Sequence, residues 1–197
     1  MPYLQKKQNT TSYSAIDYNE IMYLYNYYPW GAEASRDRIT NTIINLKKIP
    51  VHKPAVNYFS KVLTNNQYTS SIASLSKKEN TDNVFCIVPS HQADTISESL
   101  MSIIEIITPH FNFKNTQNPL RRFYTIEKLA SGGNRSLETH LESIKITDAN
   151  IVTGKTVYLL DDVTTTGNSL YACKRILLEA GAKNVVMIAL AKTTQPT

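Results

Sequence analysis

Residues 156–160, Thr-Val-Tyr-Leu-Leu, restrict the possible folds of this chain more than any other stretch. The run is apolar and strand-forming, and it halts at two adjacent carboxylates, Asp161 and Asp162. Three threonines follow at 164–166, then Gly167, Asn168 and Ser169. From there Leu170, Cys173, Leu177 and Ala180 recur at helical spacing, and Gly181 stands where a left-handed residue closes a helix. The pattern predicts a strand, a hydroxyl-rich turn and a helix N-terminus. A strand that is apolar on consecutive residues needs cover on both faces, which places it centrally in a parallel sheet.

The surrounding chain predicts the rest of such a sheet. Residues 83–88, Asn-Val-Phe-Cys-Ile-Val, form a short buried strand ending at Pro89. Thr95 and Glu98 are spaced as a capping box. Ile96, Leu100, Ile103, Ile104 and Ile107 follow at helical spacing, with Pro109 expected to end that helix. Residues 119–124 suit a further strand, 131–134 a break, 136–144 a short helix and 184–191 a last strand. Alternating strands and helices imply an α/β fold, a mostly parallel sheet flanked by helices, with ligands outside the carboxyl ends of the strands. Residues 81–197 are the expected core. Residues 1–80 carry nine of the twelve tyrosines and are expected to form a small, largely helical cap or hood. Tyr23 and Tyr27 stand at helical spacing; alternatively, the tyrosines of this region stack on a planar ligand.

A chain of 197 residues can bury one sizeable core. No apolar run reaches the roughly 20 residues that cross a bilayer, and the first residues lack a signal-peptide core, so the cytoplasm is the expected compartment. Cys86 and Cys173 fall in predicted core elements and are expected to be packed thiols. The net charge of +5 suits an anionic ligand and discriminates little beyond that. His52, His110 and His140 are scattered without metal-ligand spacing.

The turn after Asp162 has its own chemistry. Its backbone N–H groups, its hydroxyls and the positive end of the helix dipole suit a phosphate. The carboxylates suit ribose hydroxyls or a hard divalent cation held partly through water. The string from Val157 to Ser169 resembles the phosphoribosyl-pyrophosphate (PRPP) motif of type I phosphoribosyltransferases. That resemblance implies that Asp161 and Asp162 bind the ribose hydroxyls, with Mg²⁺ nearby. It implies that Thr164, Thr165, Thr166, Gly167, Asn168 and Ser169 cradle the 5′-phosphate. It makes Ser90 and His91, after the first core strand, the positions matching the pyrophosphate loop; the other use of those residues is to cap a helix. Lys128 and Arg135 fall where the family's closing loop lies. They either touch pyrophosphate or are solvated loop charges.

Further segments resemble the ComF-like group. These are residues 43–48, Ile-Ile-Asn-Leu-Lys-Lys; residues 85–90; Leu120-Arg121-Arg122; and residues 133–146. That group's Arg-Gly-Phe-Asn segment and N-terminal cysteine cluster have no counterpart here. The resemblance implies an Mg-dependent enzyme that transfers phosphoribosyl from PRPP to a base or related nitrogen nucleophile and releases pyrophosphate. The alternative is a non-catalytic PRPP- or nucleotide-sensing module, linked to DNA uptake through the ComF-like likeness. The expected partners are PRPP and a nucleobase-like small molecule. A homodimer is compatible with the sequence, and neither nucleic acid nor membrane is expected.

Overall fold

A computed structural model describes residues 21–28, 37–65, 83–111, 113, 117–127 and 136–194. Chain order is β1 (Met22–Tyr27), α1 (Arg38–Leu46), α2 (Lys53–Thr64), β2 (Asn83–Ile87), α3 (Glu98–Phe111) and β3 (Leu120–Arg122). Then come α4 (Leu137–Ser143), β4 (Ile144–Ile146), a single 3-10 turn (Ala149–Ile151), β5 (Thr156–Thr164), α5 (Asn168–Glu179) and β6 (Asn184–Thr193).

Four strands make one parallel sheet in the order β1-β6-β5-β2, so β5 is internal. Its apolar run is covered on both faces, as its composition requires. Tyr158 and Leu160 pack with Ile43 of α1, Phe59 of α2 and Ile104 of α3. Val157 and Leu159 pack with Leu170, Cys173 and Leu177 of α5. Both cysteines are buried and free. β3 and β4 form a separate antiparallel ribbon. On the open side of β2 the Asn118 amide takes a strand's place: its Oδ1 accepts from the Ile87 N–H, and its Nδ2 donates to the Ile87 carbonyl, each at 3.0 Å.

Four local expectations are corrected. β5 does not stop at the carboxylates but stays paired with β6 through Thr164, opposite Lys192. Tyr23 and Tyr27 lie on a strand, not a helix: β1 pairs with β6 at the sheet edge. Ser97, not Thr95, caps α3, its Oγ accepting from the Leu100 N–H at 3.3 Å, while the Thr95 hydroxyl turns back to the Ala93 carbonyl. Pro109 lies within α3, which runs two residues further. The carbonyl that Pro109 leaves without an N–H donor is that of Glu105, an exposed residue, and proline near a helix end breaks few later bonds.

The internal position of β5 makes its core side chains costly to truncate. Leu160→Ala should destabilise the protein by about 2–5 kcal/mol, read as a lower urea midpoint at unchanged slope.

Candidate functional site

The carboxyl ends of β5 and β2 adjoin, because the Val88 N–H donates to the Leu160 carbonyl at 3.0 Å. The acidic pair and the Ser90–His91 segment therefore sit at neighbouring strand ends. Side chains alternate along a strand, so the two carboxylates leave β5 on opposite faces. Asp161 turns to the α5 side and accepts from the Ser169 hydroxyl at 3.2 Å. Asp162 turns to the α1 side, its Oδ2 lying 3.1 Å from Lys47 Nζ. Each carboxylate also accepts the next backbone N–H, Asp161 from Asp162 at 2.9 Å and Asp162 from Val163 at 2.6 Å.

The turn completes the site. Gly167 takes φ 88° at the N-cap of α5, and no side chain caps that helix. The first turn of α5 thus presents its dipole toward the threonines. The left-handed φ is what favours glycine at 167; a Cβ there would also crowd the Tyr171 ring at 3.0 Å and displace the tip of the Ile21 side chain, Cδ1, at 2.5 Å. Thr165 bonds Thr193, hydroxyl to hydroxyl, at 2.9 Å. The Thr166 hydroxyl accepts from the Asn168 N–H at 3.5 Å. Thr164 Oγ1 is buried with no hydrogen-bond partner, an arrangement that costs roughly 1–3 kcal/mol. The turn lines a shallow cleft of about 70 Å³ with Ile21, Tyr23, Tyr171 and Lys192, the Lys192 ammonium standing 5.4 Å from the Tyr23 ring centre.

Ser90 and His91 do not cap α3. Their side chains meet at 3.4 Å, and the segment is braced from β3: Arg122 Nε donates to the Ser90 carbonyl, Asp94 N–H to the Arg122 carbonyl, and Ile126 N–H to the His91 carbonyl. Arg122 is fully buried, and its Nη atoms reach the Ser143 hydroxyl and, at 3.1 Å, His140 Nδ1. Lys128 and Arg135 lie outside the described residues. Among the described residues no three His, Cys, Asp or Glu side chains cluster as a metal cage. Sequence reasoning missed Lys47, Lys192 and the internal role of Arg122. Lys47 lay inside a family-like segment, but nothing in the spacing tied it to Asp162.

The family model described as the phosphoribosyl transferase domain matches residues 98–197. Among solved structures, a hypoxanthine phosphoribosyltransferase from Staphylococcus aureus aligns at 12% identity and TM-score 0.39, over 78% of this chain and 75% of that one. A phosphoribosylpyrophosphate synthetase from Mycobacterium smegmatis aligns at 18% identity and TM-score 0.35, over 68% of this chain and 41% of that one. No curated protein matches the chain. Among the described residues no helix is long and apolar enough to cross a membrane.

Burial, and then the charge of Asp162, push the Asp161 carboxyl up to about 8. The backbone N–H of Asp162, Lys47 and Ser169 pull it the other way without prevailing. A carboxyl whose folded pKa exceeds its unfolded value holds its proton more tightly in the native state. Its ionisation therefore withdraws stability as pH climbs from the ordinary carboxylate range through the raised value. Asp161→Asn should remove that decline and melt higher at neutral pH, by about 2–4 °C for each kcal/mol of strain relieved. Thermal unfolding from pH 4 to pH 8 checks it; equal pH slopes in both proteins contradict the assignment.

Proposed function

The chain belongs to the phosphoribosyl transferase domain family, and on that premise we propose that it transfers phosphoribosyl from PRPP to a base or related nitrogen nucleophile, releasing pyrophosphate. One observation carries the proposal. A carboxylate pair and a hydroxyl-rich turn meet at the end of an internal parallel strand, directly before a helix with no side-chain cap.

The roles follow from chemistry. Asp161 and Asp162 accept hydrogen bonds from the ribose hydroxyls. Thr164 to Ser169 take the 5′-phosphate through backbone N–H groups and hydroxyls, and the orphaned Thr164 hydroxyl is a donor that gains a partner there. Ser90 and His91 lie on the pyrophosphate side, with Lys128 and Arg135 proposed from their sequence positions. In the reaction the C1–oxygen bond breaks, and its electron pair leaves with pyrophosphate. The lone pair of the nitrogen forms the new bond to C1, and any proton on that nitrogen passes to water. Holding the two reactants in line and stabilising charge on the leaving group are the contributions open to the protein. Because the two carboxylates leave β5 on opposite faces, Asp161 or Asp162 singly, not the pair together, would hold a hard cation such as Mg²⁺, which would supply charge neutralisation for pyrophosphate.

One observation favours a second reading. Arg122, the basic side chain that touches the Ser90–His91 segment, is committed internally, as suits a module that binds PRPP or a nucleotide without turnover. Incubation with PRPP, Mg²⁺ and a panel of bases, following pyrophosphate, separates the two. The enzyme reading expects release with one class of base, falling about 100-fold or more in the Asp161→Asn/Asp162→Asn double variant. Tight PRPP binding with no release for any base moves the assignment to the sensing module.

A further inference from the structure

Lys47 is the residue just past the end of α1, its N–H folded back on the Ile44 carbonyl at 3.1 Å and that of Lys48 on the Asn45 carbonyl at 3.2 Å. A helix carboxyl end favours a cation there. The ion pair with Asp162 is half solvated, the side chains being 53% and 26% exposed. Such a pair braces a fold weakly and can change partners at little cost. Its field still matters locally. The ammonium, 3.1 Å from Asp162, sets a positive charge against the acidic pair.

The adjoining strand end is short of positive charge. From Pro89 to His110 the chain has neither Lys nor Arg. Arg122, fully buried, meets that segment at the Ser90 carbonyl. A diphosphate lying beside Ser90 would be one strand spacing, roughly 4.8 Å, from the line of β5. Lys47 reaches that line from the face that carries Leu160, and its ammonium lies at the level of Asp162.

Resting on the phosphoribosyltransferase reading, we propose that Lys47 is a ligand-contacting cation that leaves Asp162 for the diphosphate of PRPP as Asp162 takes up the ribose hydroxyls. The exchange conserves charge pairing. Asp162 trades an ammonium for hydroxyl donors, and the ammonium trades one carboxylate for a more highly charged group. The contact strengthens as the C1–oxygen bond breaks and negative charge collects on pyrophosphate, so it favours the transition state over bound substrate. The N-terminal segment thereby supplies a cation that the loop after β2 lacks.

The test is calorimetric titration of the full chain and of Lys47→Gln and Lys47→Arg with PRPP, inorganic pyrophosphate and ribose 5-phosphate, each with Mg²⁺. Lys47→Gln should weaken PRPP and pyrophosphate about 10- to 100-fold, the scale of one charged hydrogen bond. Ribose 5-phosphate should change by no more than about twofold, and Lys47→Arg should recover most of the loss. Equal weakening of all three ligands in Lys47→Gln means that Lys47 only holds the site together, and it overturns the proposal. Unchanged pyrophosphate affinity overturns it too while leaving the PRPP reading intact. A wild-type chain that binds none of the three ligands overturns both.

Discussion

Two carboxylates side by side at the end of a buried strand repel one another, and the structure around β5 answers that repulsion. Burying either charge without partners is expensive, and burying both is worse. The alternation of the strand splits the problem by sending one carboxylate to each face. Asp161 receives a hydroxyl from α5, and Asp162 receives an ammonium from the end of α1. Each also takes a backbone N–H from its own strand. These contacts leave Asp161 with a strongly raised affinity for its proton, so the compensation is partial. A pair held for structural reasons alone would have no use for such a shortfall. One that awaits hydroxyl donors or a cation is completed by the ligand itself.

What was legible in the sequence was local. The apolar run of β5, the helical spacing of α5 and the stop at Gly181 depend on neighbours a few residues apart, and all three elements are present. The packed state of Cys86 and Cys173 followed from the same periodicity. β1 was misread for a definite reason. Tyr23, Tyr25 and Tyr27 alternate at the period of a strand, but the separation of Tyr23 from Tyr27 also fits a helical turn. Only pairing with β6 decides between the two, and that pairing joins opposite ends of the chain. Lys47 and Asp162 are likewise brought together by the packing of α1 over the sheet, which no spacing rule reports. Arg122 stands in the sequence only as part of Leu120-Arg121-Arg122, a segment with a family likeness. Its burial depends on Ser143 and His140 of α4, again a non-local fact.

At Gly167 the structure supplies a reason for glycine that the sequence argument did not contain. Close approach of a phosphate to backbone explains a glycine in the turn. The structure adds two demands that hold without any ligand: a left-handed φ, and the contact of Ile21 and Tyr171 where a Cβ would stand. The chain entering β1 therefore covers one side of the threonine turn. Its Tyr23 ring and the Lys192 ammonium continue that wall along the cleft. The tyrosine-rich region thus contributes to the site through an edge strand, a geometry set by the same pairing with β6 that the periodicity left undecided.

The site combines parts of different stiffness, and the difference bears on the proposed group transfer. β5 is internal to the sheet, α5 is packed along the face of Val157 and Leu159, and the Ser90–His91 segment is tied to a buried guanidinium. Burial makes those contacts costly to break, so they hold the turn and the strand ends in fixed relation. Lys47 lies at the other extreme, half exposed at a helix terminus with Asp162 as its ion-pair partner among the described residues. Catalysis by charge stabilisation asks for donors already in place before charge develops, together with a counter-ion free to follow that charge. A lysine buried like Arg122 could not change partners without leaving a desolvated ion behind. The weakness of the Lys47–Asp162 pair as a fold brace is thus the property that suits it to act on a ligand.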